Sequence, residues 1–305
     1  MKKSIKLIET PNFNKIPNLE KLVLEDCINL LSLHPSIGVH KKLTLLNLKG
    51  CKNLRSLPSK FEMMSLEMLI LSDCSKVKRV PEFGENMKCV LVLYLDGTAI
   101  TKLPTSIGNL ISLASLSVRD CKNLISLPST FFNMKSLEYV NLFGCSKLCK
   151  LLENLGMVES VDEPDVNGTT TRLMPYSNPL FQTLKNLVLG GFKARIPYPI
   201  SLSLTSLLGL CSLTKLDLSY CNLKSIPNDI CCLFSLEDLN LSGNNFGCLP
   251  DSIAQLSFLG YLSVENCTSL QSLPKIPLNI GEIRGYGCTS LETISDLLKS
   301  NSLCR

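Results

Sequence analysis

Two histidines and fifteen cysteines are the side chains of this 305-residue chain best suited to covalent or metal chemistry. A Cys–His nucleophile would need His34 or His40 within hydrogen-bond reach of a thiol, yet His34 sits beside Pro35, in a turn-like phrase. Cys145 and Cys149 have C-x-x-x-C spacing, but no second pair follows at the interval a zinc finger needs. Cys231 and Cys232 are adjacent, which is poor spacing for sharing one ion. Gly281, Gly285 and Gly287 do not make a dinucleotide fingerprint, and no G-x-x-x-x-G-K-[ST] phosphate loop occurs. No catalytic residue, metal site or cofactor is expected. Sequons at Asn167, Asn240 and Asn266 are read as coincidental, because Asn240 falls inside an expected strand.

Composition bounds the class. With 45% hydrophobic and 19% charged residues the chain can bury a large core. No segment reaches the roughly 18 apolar residues of a spanning helix; Cys89 to Leu95 is the densest and is far shorter. Met1 to Thr10 carries lysines without an apolar block, so no secretory leader is expected. An odd number of cysteines then points to reduced thiols inside a cell rather than a disulfide scaffold. Charge is uneven: residues 1–150 hold 21 Lys/Arg against 12 Asp/Glu, and residues 151–305 hold 10 against 14. The cations are scattered, without the aromatic-interleaved stripe of a nucleic-acid binder. A solvated face is expected, with neither nucleic acid nor membrane as partner.

What positions these side chains is a repeat. A small column recurs at Cys27, Cys51, Cys74, Thr98, Cys121, Cys145, Thr169, Phe192, Cys221, Asn244, Cys267 and Cys288, mostly 23 or 24 residues apart. Before each member runs L-x-x-L-x-L-x-x, as in Leu43, Leu46 and Leu48 or Leu236, Leu239 and Leu241. Of the 36 positions in those three columns 34 are Leu, Ile or Val, the exceptions being Pro164 and Gly285; chance does not produce this. The pattern is that of leucine-rich repeats. L-x-L makes a short strand with leucines inward, and one unit cannot bury its leucines alone, so the stack is the fold. Asn suits the column because its amide can bond neighbouring backbone, and Cys or Thr offers a weaker version of that bond. The phrase L-x-x-L-P-x-x-I follows, and its proline belongs on the irregular outer arc.

The expected class is α/β, a single curved solenoid or horseshoe with a parallel concave β-sheet and an irregular convex side of loops and short helical turns. Residues 1–18 read as a partial repeat, 19–160 as six full repeats, 161–212 as degenerate repeats with an inserted loop, 213–295 as four further repeats and 296–305 as a tail.

Certain phrases narrow the match. Leu7-Ile8-Glu9-Thr10-Pro11, His34-Pro35-Ser36-Ile37-Gly38, Leu95-Asp96-Gly97-Thr98 and Leu241-Ser242-Gly243-Asn244 resemble plant disease-resistance proteins of the TIR, nucleotide-binding, leucine-rich-repeat class. The resemblance implies the repeat region of an intracellular immune receptor, sensing pathogen effectors and helping to hold the receptor inactive. It implies a cytoplasmic place, with the nucleus as a second compartment. It also implies protein partners: an effector or a guarded host protein and, in a full-length receptor, the nucleotide-binding module. An extracellular receptor-like ectodomain and a truncated product without signalling of its own are the competing readings.

Partner binding is expected on the concave face, at the outward x positions Met68, Ile70, Val92, Tyr94, Arg119, Tyr139 and Phe143, which stacking should join into one apolar, aromatic patch. Glu163, Asp165, Asp217 and Asp238 should make the same face acidic further along, with Lys215 among them. Exposed aromatic and Arg side chains are the usual anchors of protein interfaces.

Overall fold

A strand in this chain can be only a few residues long, because each L-x-L phrase is followed at once by the column residue that turns the chain. The computed structural model describes residues 2–148, 182–191 and 210–292. The chain forms two compact units, Met1–Leu148 and Cys149–Arg305. In the first, β1 (Lys21–Val23), β2 (Leu45–Asn47), β4 (Met68–Ile70), β6 (Val92–Tyr94), β7 (Ser115–Ser117) and β8 (Tyr139–Asn141) stack in parallel in that order. In the second, β9 (Asn186–Val188), β10 (Lys215–Asp217), β11 (Asp238–Asn240), β12 (Tyr261–Ser263) and β13 (Glu282–Arg284) do the same. β3 (Lys60–Phe61) and β5 (Glu82–Phe83) pair separately on the returning arc.

Register makes the spine. Leu22, Leu46, Leu69, Leu93, Leu116 and Val140 are directly aligned from strand to strand, and none is more than 7% exposed. Each contributes about 1.5–3 kcal/mol of burial. In the second unit Leu187, Leu216, Leu239 and Leu262 continue the pattern, and Ile283 of β13 is only half-buried.

Behind each strand the column residue closes the coil on its neighbour. The Cys51, Cys74, Cys121 and Cys145 thiols donate to Leu24 O, Leu48 O, Leu95 O and Val118 O of the preceding coil at 3.0–3.1 Å. Asn244 does more: its amide nitrogen donates to Leu218 O and Leu241 O at 2.9 and 2.8 Å, and its oxygen accepts from the Cys221 and Leu223 N–H groups. The column thiols are buried, and burial pushes Cys121 up from 9.0 to about 11. Burial likewise raises Cys145 and Cys221.

One position before the column, the backbone turns left-handed in every described coil, with φ of +57° at Asp26, +73° at Gly50, +64° at Asp73, +64° at Gly97, +57° at Asp120 and +73° at Gly144. The alternation of Asp and Gly is itself structural. Asp26, Asp73 and Asp120 each lean over the glycine of the next coil, where a β-carbon would collide with or crowd the carboxylate. Sequence reading took the 23/24 spacing as a spacer difference only and missed this two-coil pairing.

On the returning arc, 3-10 turns at Thr105–Asn109, Ser129–Asn133, Asn228–Cys232 and Asp251–Gln255 each begin just after a proline N-cap. Proline supplies a fixed φ where no donor is needed. The turns bury Ile107, Phe131, Ile230 and Ile253. Where β3 and β5 replace such turns, Phe61 and Phe83 fill that role. Thr169 and Phe192 of the column, Pro164 with its degenerate unit, the inserted loop up to residue 209, Cys149 and the tail from Asp296 lie outside the described residues.

Candidate functional site

The residues with potential for covalent chemistry are held in structural roles. His34 Nδ1 accepts the Ser36 N–H at 3.2 Å, capping the 3-10 turn Pro35–Val39, and lies 2.9 Å from Ser36 Oγ. Ser36 Oγ in turn accepts the Phe13 N–H at 2.8 Å and is 9% exposed, an anchor between coils rather than an open nucleophile. His40 is buried, with Nε2 3.0 Å from Ile16 O. Among the described residues no cluster of three or more His, Cys, Asp or Glu could hold a metal ion, and no helix is long and apolar enough to cross a membrane.

The outward side chains of the first unit form two aligned rows. Met68, Val92, Ser115 and Tyr139 make one; Ile70, Tyr94, Ser117 and Asn141 make the other. Met68, Ile70, Val92 and Tyr94 are thus a contiguous, half-buried apolar quartet on β4 and β6. β7 then sets two serines between this quartet and the second cluster, Tyr139, Phe143 and Arg119. The surface is therefore two patches with a notch, not the single patch that the spacing implied. Arg119 stacks over the Phe143 ring at 5.3 Å, with Nε 3.4 Å from Asp120 Oδ2. Such stacking orders the guanidinium while leaving it exposed.

Asp96 fixes the notch. Its carboxylate accepts from Ser72 Oγ at 3.0 Å, from the Arg119 N–H at 2.9 Å and from Ser117 Oγ. These bonds explain why Ser117 is buried where its row neighbours Tyr94 and Asn141 are half-open. Ile70, Tyr94, Asp96 and Arg119 line a shallow hollow of about 480 Å³. Sequence reasoning missed Ser115, Ser117 and Asp96 because it collected large outward residues only; their spacing, 23 or 24 residues from neighbours already singled out, was the available signal.

In the second unit Asp217 and Asp238 stand side by side on β10 and β11. Lys215 Nζ lies 3.9 Å from Asp238 Oδ2, and Asn240 Nδ2 donates to Asp217 Oδ2 at 3.1 Å. Burial raises the Asp238 carboxyl, against the opposing pull of Lys215. Arg284 repeats the Arg119 arrangement, 5.6 Å over the Tyr261 ring and 2.7 Å from Glu282. Glu163 and Asp165 lie outside the described residues.

A sequence profile for disease resistance protein RPS4B-like leucine-rich repeats matches residues 61–187, and a general leucine-rich-repeat profile matches 212–233 and 235–256. The chain belongs to the leucine-rich repeats of plant disease-resistance proteins. It is 36% identical to TMV resistance protein N of Nicotiana glutinosa over 286 residues, covering 92% of this chain and 24% of that protein. It is 37% identical to Disease resistance-like protein DSC1 of Arabidopsis thaliana over 295 residues, covering 97% and 24%. The leucine-rich-repeat chain thus spans about a quarter of the length of these relatives. Among solved structures, YopM from Yersinia enterocolitica WA-314 matches with a TM-score of 0.49 and 20% identity, over 92% of this chain and 48% of that one. Leucine-rich repeats of this family are protein-interaction modules, which fits a site built of stacked outward side chains.

Proposed function

We propose that the chain is a non-catalytic protein-binding region that works inside the cell in plant defence. In a longer receptor it senses a pathogen effector, or a host protein that the effector alters, and helps to restrain the nucleotide-binding module. The observation that carries this is the half-buried quartet Met68, Ile70, Val92 and Tyr94 facing outward beside the stacked Arg119–Phe143 pair. Aromatic and Arg anchors over a rigid sheet lose little conformational freedom on binding, which favours affinity. Asp217 and Asp238 add an acidic region for a basic part of the partner.

A two-hybrid screen of the chain against pathogen effectors and host proteins supplies the test. A partner recovered with the parent chain is lost on replacing Tyr94 and Phe143 together by Ala, while the melting temperature stays near that of the parent. A partner bound at full strength by the double variant overturns the assignment of this face.

A further inference from the structure

Stacking gathers the charge of the first unit on one flank. In each coil this flank runs from the buried column residue to the proline of the returning arc. Parallel bridges keep successive segments in register, Glu9 with Ser32, Ser32 with Ser56 and Lys102 with Ser126. Side chains add rungs: Asn29 Nδ2 donates to Ile5 O at 2.8 Å, and Lys76 Nζ to Asn53 Oδ1 at 2.5 Å. Segments 4–11, 27–35, 51–58, 74–81, 98–104, 121–128 and 145–148 together carry nine Lys/Arg and a single acid, Glu9. The rest of residues 2–148 holds eleven Lys/Arg and eleven Asp/Glu, so it is balanced. The unit's whole positive excess therefore sits on this flank.

The nine cations are exposed, and among the described residues none forms an ion pair. Their mutual repulsion is a standing cost that an anionic partner would relieve. Between two of the segments lies a groove of about 800 Å³, with Arg55, Lys78 and Arg79 beside Leu57, Pro58 and Val80. On the same flank, nearer the N-terminus, Ile5, Ile8, Ile28 and Leu31 are exposed. No aromatic residue occurs on these segments, so bases would find no stacking platform. A recessed groove also suits an extended chain better than a membrane plane.

We propose that this flank is a second docking site, distinct from the strand face, for an acidic polypeptide segment that also carries aliphatic side chains. Carboxylates would meet Arg55, Lys78 and Arg79, and the aliphatic groups would cover the apolar floor and the neighbouring isoleucines.

The test is fluorescence anisotropy of the full chain with a labelled peptide of alternating glutamate and leucine. The peptide binds, and binding weakens as salt rises. Replacing Arg55→Glu, Lys78→Glu and Arg79→Glu together weakens it about tenfold or more. Lys15→Glu, Lys41→Glu and Lys88→Glu, an equal change in net charge placed elsewhere, leave it within about twofold. The corresponding Gln replacements at 55, 78 and 79 give the same loss with less charge change, should reversal disturb folding. The proposal is overturned if both triple variants lose equally, if neither does, or if the glutamine version of the peptide binds as well. Tighter binding of single-stranded DNA or of phosphatidylserine vesicles overturns it too.

Discussion

The Asp26 carboxylate occupies the space where residue 50, one coil further on, would carry its β-carbon; Gly50 leaves that space open. Both residues are left-handed, with φ of +57° and +73°. Their N–H groups reach the next coil, to Lys49 O at 2.7 Å from Asp26 and to Ser72 O at 2.8 Å from Gly50. A left-handed Asp is tolerable because its short polar side chain suits that conformation, but two in succession would collide. Alternation solves the crowding.

Gly50→Ala should therefore cost stability twice over, about 1–2 kcal/mol for left-handed backbone and a further amount for the contact with Asp26. Combining it with Asp26→Gly should recover the second part and not the first. Urea denaturation of the two single variants and the double variant measures this coupling. Strict additivity would show that the carboxylate does not fill that space in solution.

The column makes a ranking. Asn244→Ala leaves the Cys221 and Leu223 N–H groups and two carbonyls without their partner, all in the interior. Each stranded group costs about 1–3 kcal/mol, so the variant should lose about 3 kcal/mol or more. Cys51→Ala removes one weak thiol donation to Leu24 O and a small volume, and should lose about 1–2 kcal/mol. Equal losses in urea denaturation would mean that the amide network contributes nothing.

The spine was legible from sequence, since Leu46, Leu69 and Leu93 sit at a fixed interval and a strand buries alternate residues. The proline phrase likewise announced the 3-10 turns, because Pro104 and Pro250 cannot donate to a sheet. Other features depend on what lies beside a residue rather than along the chain. Ser117 reads as an unremarkable small residue until Asp96 is seen to bind it. Arg55 and Arg79 look scattered along the chain, 24 residues apart, yet one turn of the stack makes them neighbours around a groove. The strands β3 and β5 were not foreseen, since Lys60–Phe61 and Glu82–Phe83 are too short to show a period.

Thiol reactivity should divide by position. Cys89, Cys211 and Cys248 are exposed, whereas the column thiols are buried. Iodoacetamide on the native chain at neutral pH should label the first group, read by mass spectrometry, and reach the column only on unfolding. Alkali adds a second signature. Cys121 titrates near 9.0 when unfolded and at about 11 when folded, so from pH 9 upward the unfolded state releases a proton that the folded state keeps. Stability present below pH 9 is lost as pH rises through that window. Cys121→Ser should flatten the alkaline fall in urea midpoint; an unchanged slope would place the thiol in water.

The last expectation separates the inside of a strand from its outside. Leu116 is 0% exposed and lies between Leu93 and Val140 in the spine, so Leu116→Ala opens a cavity and should cost roughly 2–5 kcal/mol. Phe143 is half-open, with Arg119 on one face, and Phe143→Ala should cost under about 1 kcal/mol. The two residues lie on adjacent coils, which makes the contrast a test of orientation rather than of region. Melting temperatures of the two variants decide it. A stable Leu116→Ala alongside a strongly weakened Phe143→Ala would reverse the assignment of faces, and with it the claim that the outward aromatic residues are free to meet a partner.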